Sequence, residues 1–210
     1  MSFCMQSLKN YWQKGIVRVV VKYGSLLHGR AKMTKKKRRF CSLICILRRN
    51  DQMIKIMFVC HGNICRSPMA EFIFKDLAKK QGAAGRFLIA SSATSTEEIW
   101  NGVGNPVYPP AKAELERHGL SCTGKRAVQL QKSDYDKYDL FIGMDSANIR
   151  NMLRIFGGDP AGKVHKLMDY TTRGGDVADP WYSERFDVAY RDIFDGCTAL
   201  LDAVLKQDKQ

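Results

Sequence analysis

Residues 54–68 read I-K-I-M-F-V-C-H-G-N-I-C-R-S-P, and this stretch decides the fold. The apolar run at its start has the length and composition of a buried strand. The residues that follow form a short loop that contains a glycine. The loop ends in Ser-Pro, a pair typical of a helix start. A strand, a loop and a helix N-terminus in this order aim successive backbone N–H groups at one point. The stretch therefore predicts an anion-binding loop with Cys60 and Arg66 at its two ends.

The side chains of this loop suit an anion that contains phosphorus. Arg66 can hold two oxygens of a phosphoryl group, and the sulfur of Cys60 would then lie below the phosphorus atom, placed for in-line attack. A helix N-terminus, a guanidinium and nearby N–H donors all favour the thiolate form of that sulfur. Ser67 can donate a hydrogen bond to the thiolate, cap the helix, or do both. The backbone groups expected to hold the phosphate belong to His61, Gly62, Asn63, Ile64, Cys65 and Arg66.

A thiolate alone expels an alkoxide or a phenoxide poorly, so the loop needs an acid. The candidate is Asp179, which opens the segment D-P-W-Y after a loop that has glycines but no apolar periodicity. It would protonate the departing oxygen and then, as a carboxylate, take a proton from the attacking water. In the alternative interpretation, Asp-Pro opens a turn and the aromatic residues belong to the core. In the catalytic interpretation Trp181 and Tyr182 wall a crevice above the phosphate, with Trp100 as its second wall.

Predicted strands and helices alternate along the rest of the chain. The apolar patterns and turn residues predict strands over residues 54–59, 87–90, 140–144 and 163–167. They predict helices over residues 69–81, 111–118, 146–156 and 183–205, the third with Asp145 as its N-cap, and a loop over residues 95–110. This alternation implies a parallel sheet with right-handed crossovers and a site at the carboxyl ends of its strands. Cys60 is expected at such an end.

Charge divides the chain near Asn50. Residues 1–50 contain 13 Lys or Arg and no Asp or Glu, so they carry the whole formal charge of +13. We therefore expect a basic N-terminal extension over residues 1–52 and one domain over residues 53–210. The extension is either a disordered arm or the product of a start codon assigned too early, with true initiation at Met53. Its apolar runs are too short to span a bilayer, and it lacks the interleaved aromatic residues of a single-strand binder, so neither a membrane span nor nucleic acid is expected.

The seven cysteines have no regular spacing, which argues against a disulfide framework and against a zinc site. We expect a cytoplasmic setting, because an activated thiolate oxidises readily to a sulfenic acid. The sequence leaves export without a signal peptide open. Cys65 has two interpretations. It could form a reversible disulfide with Cys60 as a redox partner, or it could be a small buried apolar side chain.

The segment V-C-H-G-N-I-C-R-S-P-M-A-E and the late D-P-W-Y together resemble the low molecular weight protein tyrosine phosphatases, from about Met53 to Leu205. The resemblance implies an α/β fold with a four-stranded parallel sheet flanked by helices on both faces. It implies hydrolysis of phosphotyrosine in proteins or peptides through a cysteinyl phosphate, without a metal or an organic cofactor. It gives Cys60 as the nucleophile, Arg66 as the phosphate-binding residue and Asp179 as the general acid.

The same resemblance assigns supporting residues and shows two departures. Ser67 would stabilise the thiolate, and a hydrogen-bonded set would hold the loop in a strained shape, namely Asn63, Ser91 and His118. Many members have Leu where this chain has His61, which either lends positive charge to the rim or faces solvent. The crevice loop over residues 97–104 is longer than the vertebrate pattern.

Three rival functions stay open on the sequence. Arsenate reductases of this fold need a further cysteine pair, and residues 140–145 contain no cysteine where that pair would begin. Protein arginine phosphatases have Thr where this loop has Ile64, which leaves an apolar surface for an aryl ester. A non-enzymatic phosphate or nucleic-acid binder would not require a nucleophile, an arginine and an acid together. The oligomeric state and the physiological substrate do not follow from the sequence.

Overall fold

The computed structural model describes residues 53–207, so the predicted extension over residues 1–52 lies outside it. Within this range the strands are β1 (Ile54–Cys60), β2 (Phe87–Ala93), β3 (Ile99–Trp100), β4 (Val103–Gly104), β5 (Leu140–Gly143) and β6 (Val164–Lys166). The helices are α1 (Arg66–Lys80), α2 (Pro109–Arg117), α3 (Ser146–Phe156), the short α4 (Pro180–Ser183) and α5 (Phe186–Gln207). None of the described helices is long and apolar enough to cross a membrane.

Four strands form one parallel sheet in the order β2-β1-β5-β6. In the register of the sheet, Met57 of β1 lies between Ala90 of β2 and Phe141 of β5. The chain moves from β1 to one side for β2 and to the other side for β5, which makes the carboxyl end of β1 a topological switch point, where open α/β sheets bind ligands. Cys60 is the last residue of β1, as the sequence predicts.

From Ile56 to Cys60 strand β1 is buried on both faces of the sheet, which explains why these residues are all apolar; Lys55, near its start, is only partly buried. Ile56 and Phe58 point into a core shared with residues of α1 and α5. Met57 and Val59 point into a second, smaller core that contains residues of α3. Complete burial of a side chain such as that of Phe58 contributes about 1.5–3 kcal/mol. The predicted α/β fold, with helices on both faces of a four-stranded parallel sheet, is confirmed.

Two helix starts decide where site residues point. Asp145 caps α3, because its carboxylate accepts a hydrogen bond of 2.7 Å from the backbone N–H of Asn148. The predicted N-cap is therefore confirmed. Helix α1 begins at Arg66, three residues before the predicted start, with Cys65 as its N-cap residue and no capping side chain, so the interpretation of Ser67 as the helix cap is wrong. Ser67 consequently lies inside the first turn, and its hydroxyl is available for other partners.

Several predicted boundaries differ from the structure by a few residues, and three further differences have a clear physical reason. Strand β2 extends to Ala93, three residues beyond the predicted end, because Ser91 and Ser92 are buried and continue the pairing with β1. The predicted loop over residues 95–110 contains the hairpin β3–β4. The predicted helix over residues 183–205 begins only at Phe186, because Glu184 adopts a left-handed backbone with φ of 56° and ends the short helix α4 before it. Local apolar patterns do not mark any of these features.

The β3–β4 hairpin is fixed against the segment that follows α2. The guanidinium of Arg126 donates a hydrogen bond of 2.9 Å to the backbone oxygen of Gly104, and the backbone N–H of Ala127 donates one of 2.8 Å to Asn105. The two backbones approach so closely that a Cβ atom on Gly104 would lie 1.9 Å from the carbonyl oxygen of Ala127. Only glycine fits at this position.

We therefore predict that Gly104→Ala lowers the free energy of unfolding by about 1–3 kcal/mol, the usual cost of forcing extra volume into a packed site. Urea denaturation followed by circular dichroism measures the change. Gly85→Ala is the matched control, because a Cβ at Gly85 meets no atom within 4 Å and its change should stay within about 0.5 kcal/mol. Equal changes for both variants would contradict the close approach of the two backbones at Gly104.

Candidate active site

The loop between β1 and α1 places the sulfur of Cys60 beside a hydroxyl group. Cys60 Sγ and Ser67 Oγ are 3.0 Å apart, and both residues are buried. Ser67 Oγ accepts a hydrogen bond of 2.9 Å from the side-chain amide of Asn63. Its own hydrogen is therefore left to donate, either to the sulfur or to the more distant carbonyl oxygen of Ser92 at 3.5 Å. The predicted pairing of this hydroxyl with the sulfur agrees with this geometry.

Asn63 holds the loop in a conformation that the backbone alone disfavours. Its φ is 57°, in the left-handed region, which costs roughly 1–3 kcal/mol for a residue other than glycine. Its amide nitrogen donates to Ser67 Oγ and, at 2.8 Å, to Ser91 Oγ, and its amide oxygen accepts a 3.0 Å hydrogen bond from the N–H of Val128. Asn63 is fully buried, and these three bonds offset the strain.

A buried ion pair lies behind Ser91, and the sequence analysis missed it. The hydroxyl of Ser91 donates a hydrogen bond of 2.6 Å to Glu71 Oε2, from which Lys125 Nζ is 3.3 Å away. Lys125 Nζ also donates to the backbone oxygen of Ser91 at 3.0 Å. Burial lowers the pKa of Lys125, and the charge of Glu71 opposes this shift. Glu71 follows Ser67 by one helical turn, and this spacing could have predicted that Glu71 lies near the loop. The sequence around Lys125 contains no feature that predicts the same position.

The structure does not bring His118 to this network. Its imidazole lies 3.3 Å from a carboxylate oxygen of Glu114, four residues earlier on α2. It stacks on the ring of Tyr190 in α5, with ring centroids 3.7 Å apart. The predicted set of Asn63, Ser91 and His118 is thus corrected by the geometry, since Lys125 and Glu71 contact Ser91 where a histidine was expected. His118 follows the last residue of α2 and packs α2 against α5 instead.

The guanidinium of Arg66 joins two carboxylates from distant parts of the chain. One terminal nitrogen donates a hydrogen bond of 2.7 Å to Asp145, and the other donates one of 2.7 Å to Asp179, which is 113 residues away in sequence. Arg66 is only 4% exposed. Burial lowers the pKa of its guanidinium, but the surrounding negative charges, that of Cys60 first, outweigh burial and raise the pKa. The arginine therefore stays charged. The sequence analysis predicted Asp145 only as the cap of α3 and missed its ion pair with Arg66.

Asp179 stands at the junction of a loop and the short helix α4. One carboxylate oxygen accepts a hydrogen bond of 3.1 Å from the N–H of Trp181, so Asp179 caps this helix, while its other oxygen contacts Arg66. The preceding loop is tied to the end of β5, where the N–H of Val177 donates to the carbonyl oxygen of Met144 at 2.9 Å. The structure thus brings the three predicted catalytic side chains, Cys60, Arg66 and Asp179, to one end of the sheet.

His61 lies at the rim of the loop, where the sequence left its environment open. Its Nε2 atom is 2.9 Å from a carboxylate oxygen of Glu97, and about half of its side chain is exposed. The hydrogen bond and the charge of His61 lower the pKa of Glu97. The backbone oxygen of His61 also accepts a 3.0 Å hydrogen bond from the N–H of Ser95. His61 therefore fastens the anion-binding loop to the segment that leads into the β3–β4 hairpin.

The aromatic residues around the loop differ in how they pack. The ring of Trp181 lies against that of Tyr108, with centroids 5.3 Å apart, and the N–H of Tyr108 donates a 2.9 Å hydrogen bond to the carbonyl oxygen of Ile64. Tyr108, which the sequence analysis did not place at the site, thus connects Trp181 to the loop. Tyr182 is 89% exposed, and Trp100, on β3, is 71% exposed. A crevice wall made by these two side chains remains a prediction.

Cys65 is buried directly before α1. Burial first, and then the negative charges of Cys60 and Asp179, raise the pKa of its thiol to about 12. It is therefore a neutral thiol near pH 7. All four cysteines in residues 53–207 are free, so the redox pairing of Cys65 with Cys60 stays a prediction. Within the same range no group of three or more His, Cys, Asp or Glu side chains could hold a metal ion.

We predict that Asn63→Gly lowers the free energy of unfolding by about 2–4 kcal/mol, because the buried Ser67, Ser91 and Val128 groups lose their partner. Asn63→Ala should lose about 1 kcal/mol more, since alanine also resists the left-handed backbone. Urea denaturation measures both changes.

Asn101 offers a matched control, because it too has a positive φ, 49°, but lies exposed in the hairpin turn. Asn101→Gly should change the free energy of unfolding by less than about 0.5 kcal/mol. A similarly small change for Asn63→Gly would show that the buried hydrogen bonds of Asn63 do not hold the loop.

Known proteins with similar sequences belong to one family of phosphatases. The family model for low molecular weight phosphotyrosine protein phosphatase matches residues 55–210. A low molecular weight protein-tyrosine-phosphatase of Bacillus subtilis is 38% identical over 157 residues, which cover 74% of this chain and 98% of that protein. The low molecular weight phosphotyrosine protein phosphatase of Sus scrofa is 34% identical over 162 residues, which cover 73% and 98%.

Solved structures give the same result. The crystal structure of the Bacillus subtilis protein superposes with a TM-score of 0.70 and covers 76% of this chain and 98% of its own. The low molecular weight protein tyrosine phosphatase from Streptococcus pyogenes has a TM-score of 0.64 and 33% identity, with 72% of this chain and 93% of its own covered. Nearly the whole of each relative is matched by the part of this chain that carries the Cys60 loop. The chain therefore belongs to the low molecular weight phosphotyrosine protein phosphatase family.

Proposed function

We propose that this protein hydrolyses phosphotyrosine in proteins or peptides through a cysteinyl phosphate intermediate. One observation carries the proposal: the buried guanidinium of Arg66 reaches Asp179 at 2.7 Å, next to a loop that pairs the sulfur of Cys60 with the Ser67 hydroxyl at 3.0 Å. Nucleophile, anion-binding cation and acid thus share one end of the sheet. The names of the relatives, which are tyrosine phosphatases, support the same activity.

In the first step the phosphoryl group moves from the tyrosine oxygen to sulfur. The thiolate of Cys60 attacks phosphorus, the bond between phosphorus and the phenolic oxygen breaks, and protonated Asp179 gives its proton to that oxygen. Tyrosine leaves as a neutral phenol. The dipole at the N-terminus of α1 and the loop N–H groups stabilise the negative charge of the phosphoryl oxygens.

In the second step water replaces sulfur on phosphorus. The carboxylate of Asp179 accepts a proton from the attacking water, the bond between phosphorus and sulfur breaks, and inorganic phosphate leaves. The thiolate of Cys60 is regenerated. A hydrogen bond from Ser67 stabilises it as a leaving group, which is the chemical use of the 3.0 Å contact between the two side chains.

The two carboxylates on Arg66 have different tasks in this scheme. Asp145 is fixed as the N-cap of α3 and orients the guanidinium from one side. Asp179 holds the other nitrogen, so an incoming phosphate competes with it for the same cation. The released carboxyl group is then free to turn toward the leaving oxygen, to which it gives a proton in the first step.

The substrate class follows from the surroundings of the loop. Ile64, where arginine phosphatases have Thr, is apolar and only 8% exposed, and Trp181 lies close by against Tyr108. A phenolic phosphate is long enough to pass these rings and reach the sulfur, whereas phosphoserine is shorter by one ring. Arsenate reduction is less favoured, because residues 140–145, where the required cysteine pair would begin, contain no cysteine, and the two described cysteines outside the loop, Cys122 and Cys197, are buried.

The proposal predicts that kcat/KM for a phosphotyrosine peptide exceeds that for the matched phosphoserine peptide by about a hundredfold or more. Parallel assays of released phosphate, with phosphoarginine and arsenate as further substrates, measure this preference. Cys60→Ser should remove turnover to below about a thousandth, whereas Cys122→Ser, which changes a buried cysteine outside the loop, should retain it. Comparable rates for both peptides, or residual activity in Cys60→Ser, would contradict the proposal.

A further inference from the structure

The loop over residues 171–178 carries Asp179 to the site without helix or strand of its own. Its last part is tied down on two sides. On one side the N–H of Val177 donates to the carbonyl oxygen of Met144 at the end of β5, at 2.9 Å. On the other side the N–H of Ala178, the residue directly before Asp179, donates a hydrogen bond of 3.0 Å to a carboxylate oxygen of Asp192.

Asp192 is a polar residue on the inner side of α5. It is 8% exposed, and its neighbours Ala189 and Ile193 on the same helix are fully buried. Its second carboxylate oxygen accepts a hydrogen bond of 2.6 Å from the guanidinium of Arg173, near the start of the same loop. Both oxygens of one buried carboxylate are thus used by one loop, which is fastened through its backbone at one end and a side chain at the other.

The mechanism requires such an anchor. Asp179 is 41% exposed at its side chain, and its carboxylate is held by Arg66. Once phosphate occupies the guanidinium, that contact is lost, and the position of the carboxyl group then depends on the backbone that carries it. A displacement of about 1 Å in a reacting group can cost roughly a hundredfold in rate.

We propose that Asp192 is a positioning residue for the general acid, which holds Asp179 over the leaving oxygen through the backbone of Ala178. This inference rests on the proposed role of Asp179 in the function above. Asp192 itself contacts Ala178 and Arg173 and none of the three catalytic side chains. It sits on a rigid helix packed into the core, the kind of element that fixes a site accurately.

The test compares two aryl phosphates in Asp192→Ala. Phenyl phosphate has a poor leaving group that needs a proton, whereas p-nitrophenyl phosphate needs little protonation. We expect kcat/KM for phenyl phosphate to fall about tenfold more than kcat/KM for p-nitrophenyl phosphate. The ratio of the two values does not depend on the folded fraction, so a loss of stability alone leaves it unchanged. Asp192→Asn keeps an oxygen acceptor for Ala178 and should shift the ratio less.

Two further variants make the outcomes distinct. Asp179→Ala should shift the ratio by about a hundredfold, and adding Asp192→Ala to it should shift the ratio no further, because the acid to be positioned is gone. Asp202→Ala, which removes an exposed pair with Lys206 farther along α5, should leave the ratio unchanged.

An unchanged ratio in Asp192→Ala beside a shifted ratio in Asp179→Ala would overturn the positioning role alone. An unchanged ratio in Asp179→Ala would remove the general acid from the proposed function and the positioning role with it. A shift in Asp192→Ala that persists undiminished without Asp179 would also overturn the inference, because Asp192 would then act on another group.

Discussion

The double ion pair of Arg66 is the interaction on which the site depends. A guanidinium that is 4% exposed can be tolerated only because a carboxylate pairs with it at each end. One carboxylate comes from the end of β5 and the other from the loop before α4. Arg66 itself begins α1, directly after the loop of Cys60. A single buried cation thus draws three separate segments to the carboxyl end of the parallel sheet.

In the proposed mechanism the same site exchanges one anion for another. Arg66 is held by Asp145, which the start of α3 fixes, and by Asp179, which belongs to a loop and is partly exposed. We propose that an incoming phosphate replaces Asp179, the less firmly held of the two carboxylates. Beneath the loop, Asn63 and the ion pair of Glu71 with Lys125 provide fixed polar partners, so the loop need not rearrange when the anion binds. In the proposed mechanism, preorganisation of this kind lowers the barrier for transfer of the phosphoryl group to sulfur.

The sequence was sufficient for features that local patterns encode. The largely apolar run of β1 predicted a buried strand, and Asp145 before an amphipathic stretch predicted the cap of α3. The resemblance correctly indicated the family, and the 3.0 Å distance between Cys60 Sγ and Ser67 Oγ is compatible with the role that it implies for Ser67. These predictions work because periodicity and capping depend on neighbours in the sequence.

Contacts between distant segments could not be predicted in the same way. The resemblance assigned His118 to the network around Ser91, but the structure places Lys125 there and pairs His118 with Glu114. The residues next to Lys125 in the sequence form no pattern that predicts its burial. Asp192 lies on α5 among apolar residues, and only the path of the loop before Asp179 explains its burial. The β3–β4 hairpin escaped notice because its strands have two residues each, too few for a period of two to be seen.

The central claim is that the sulfur of Cys60 accepts the phosphoryl group during turnover. Mass spectrometry of enzyme quenched in acid during hydrolysis of a phosphotyrosine peptide tests it most directly, because acid preserves a phosphorus–sulfur adduct long enough for peptide mapping. The account predicts one added PO3 group on the peptide that contains Cys60, and none in Cys60→Ser. Active enzyme with no adduct there, or with the added group on another residue, would contradict it.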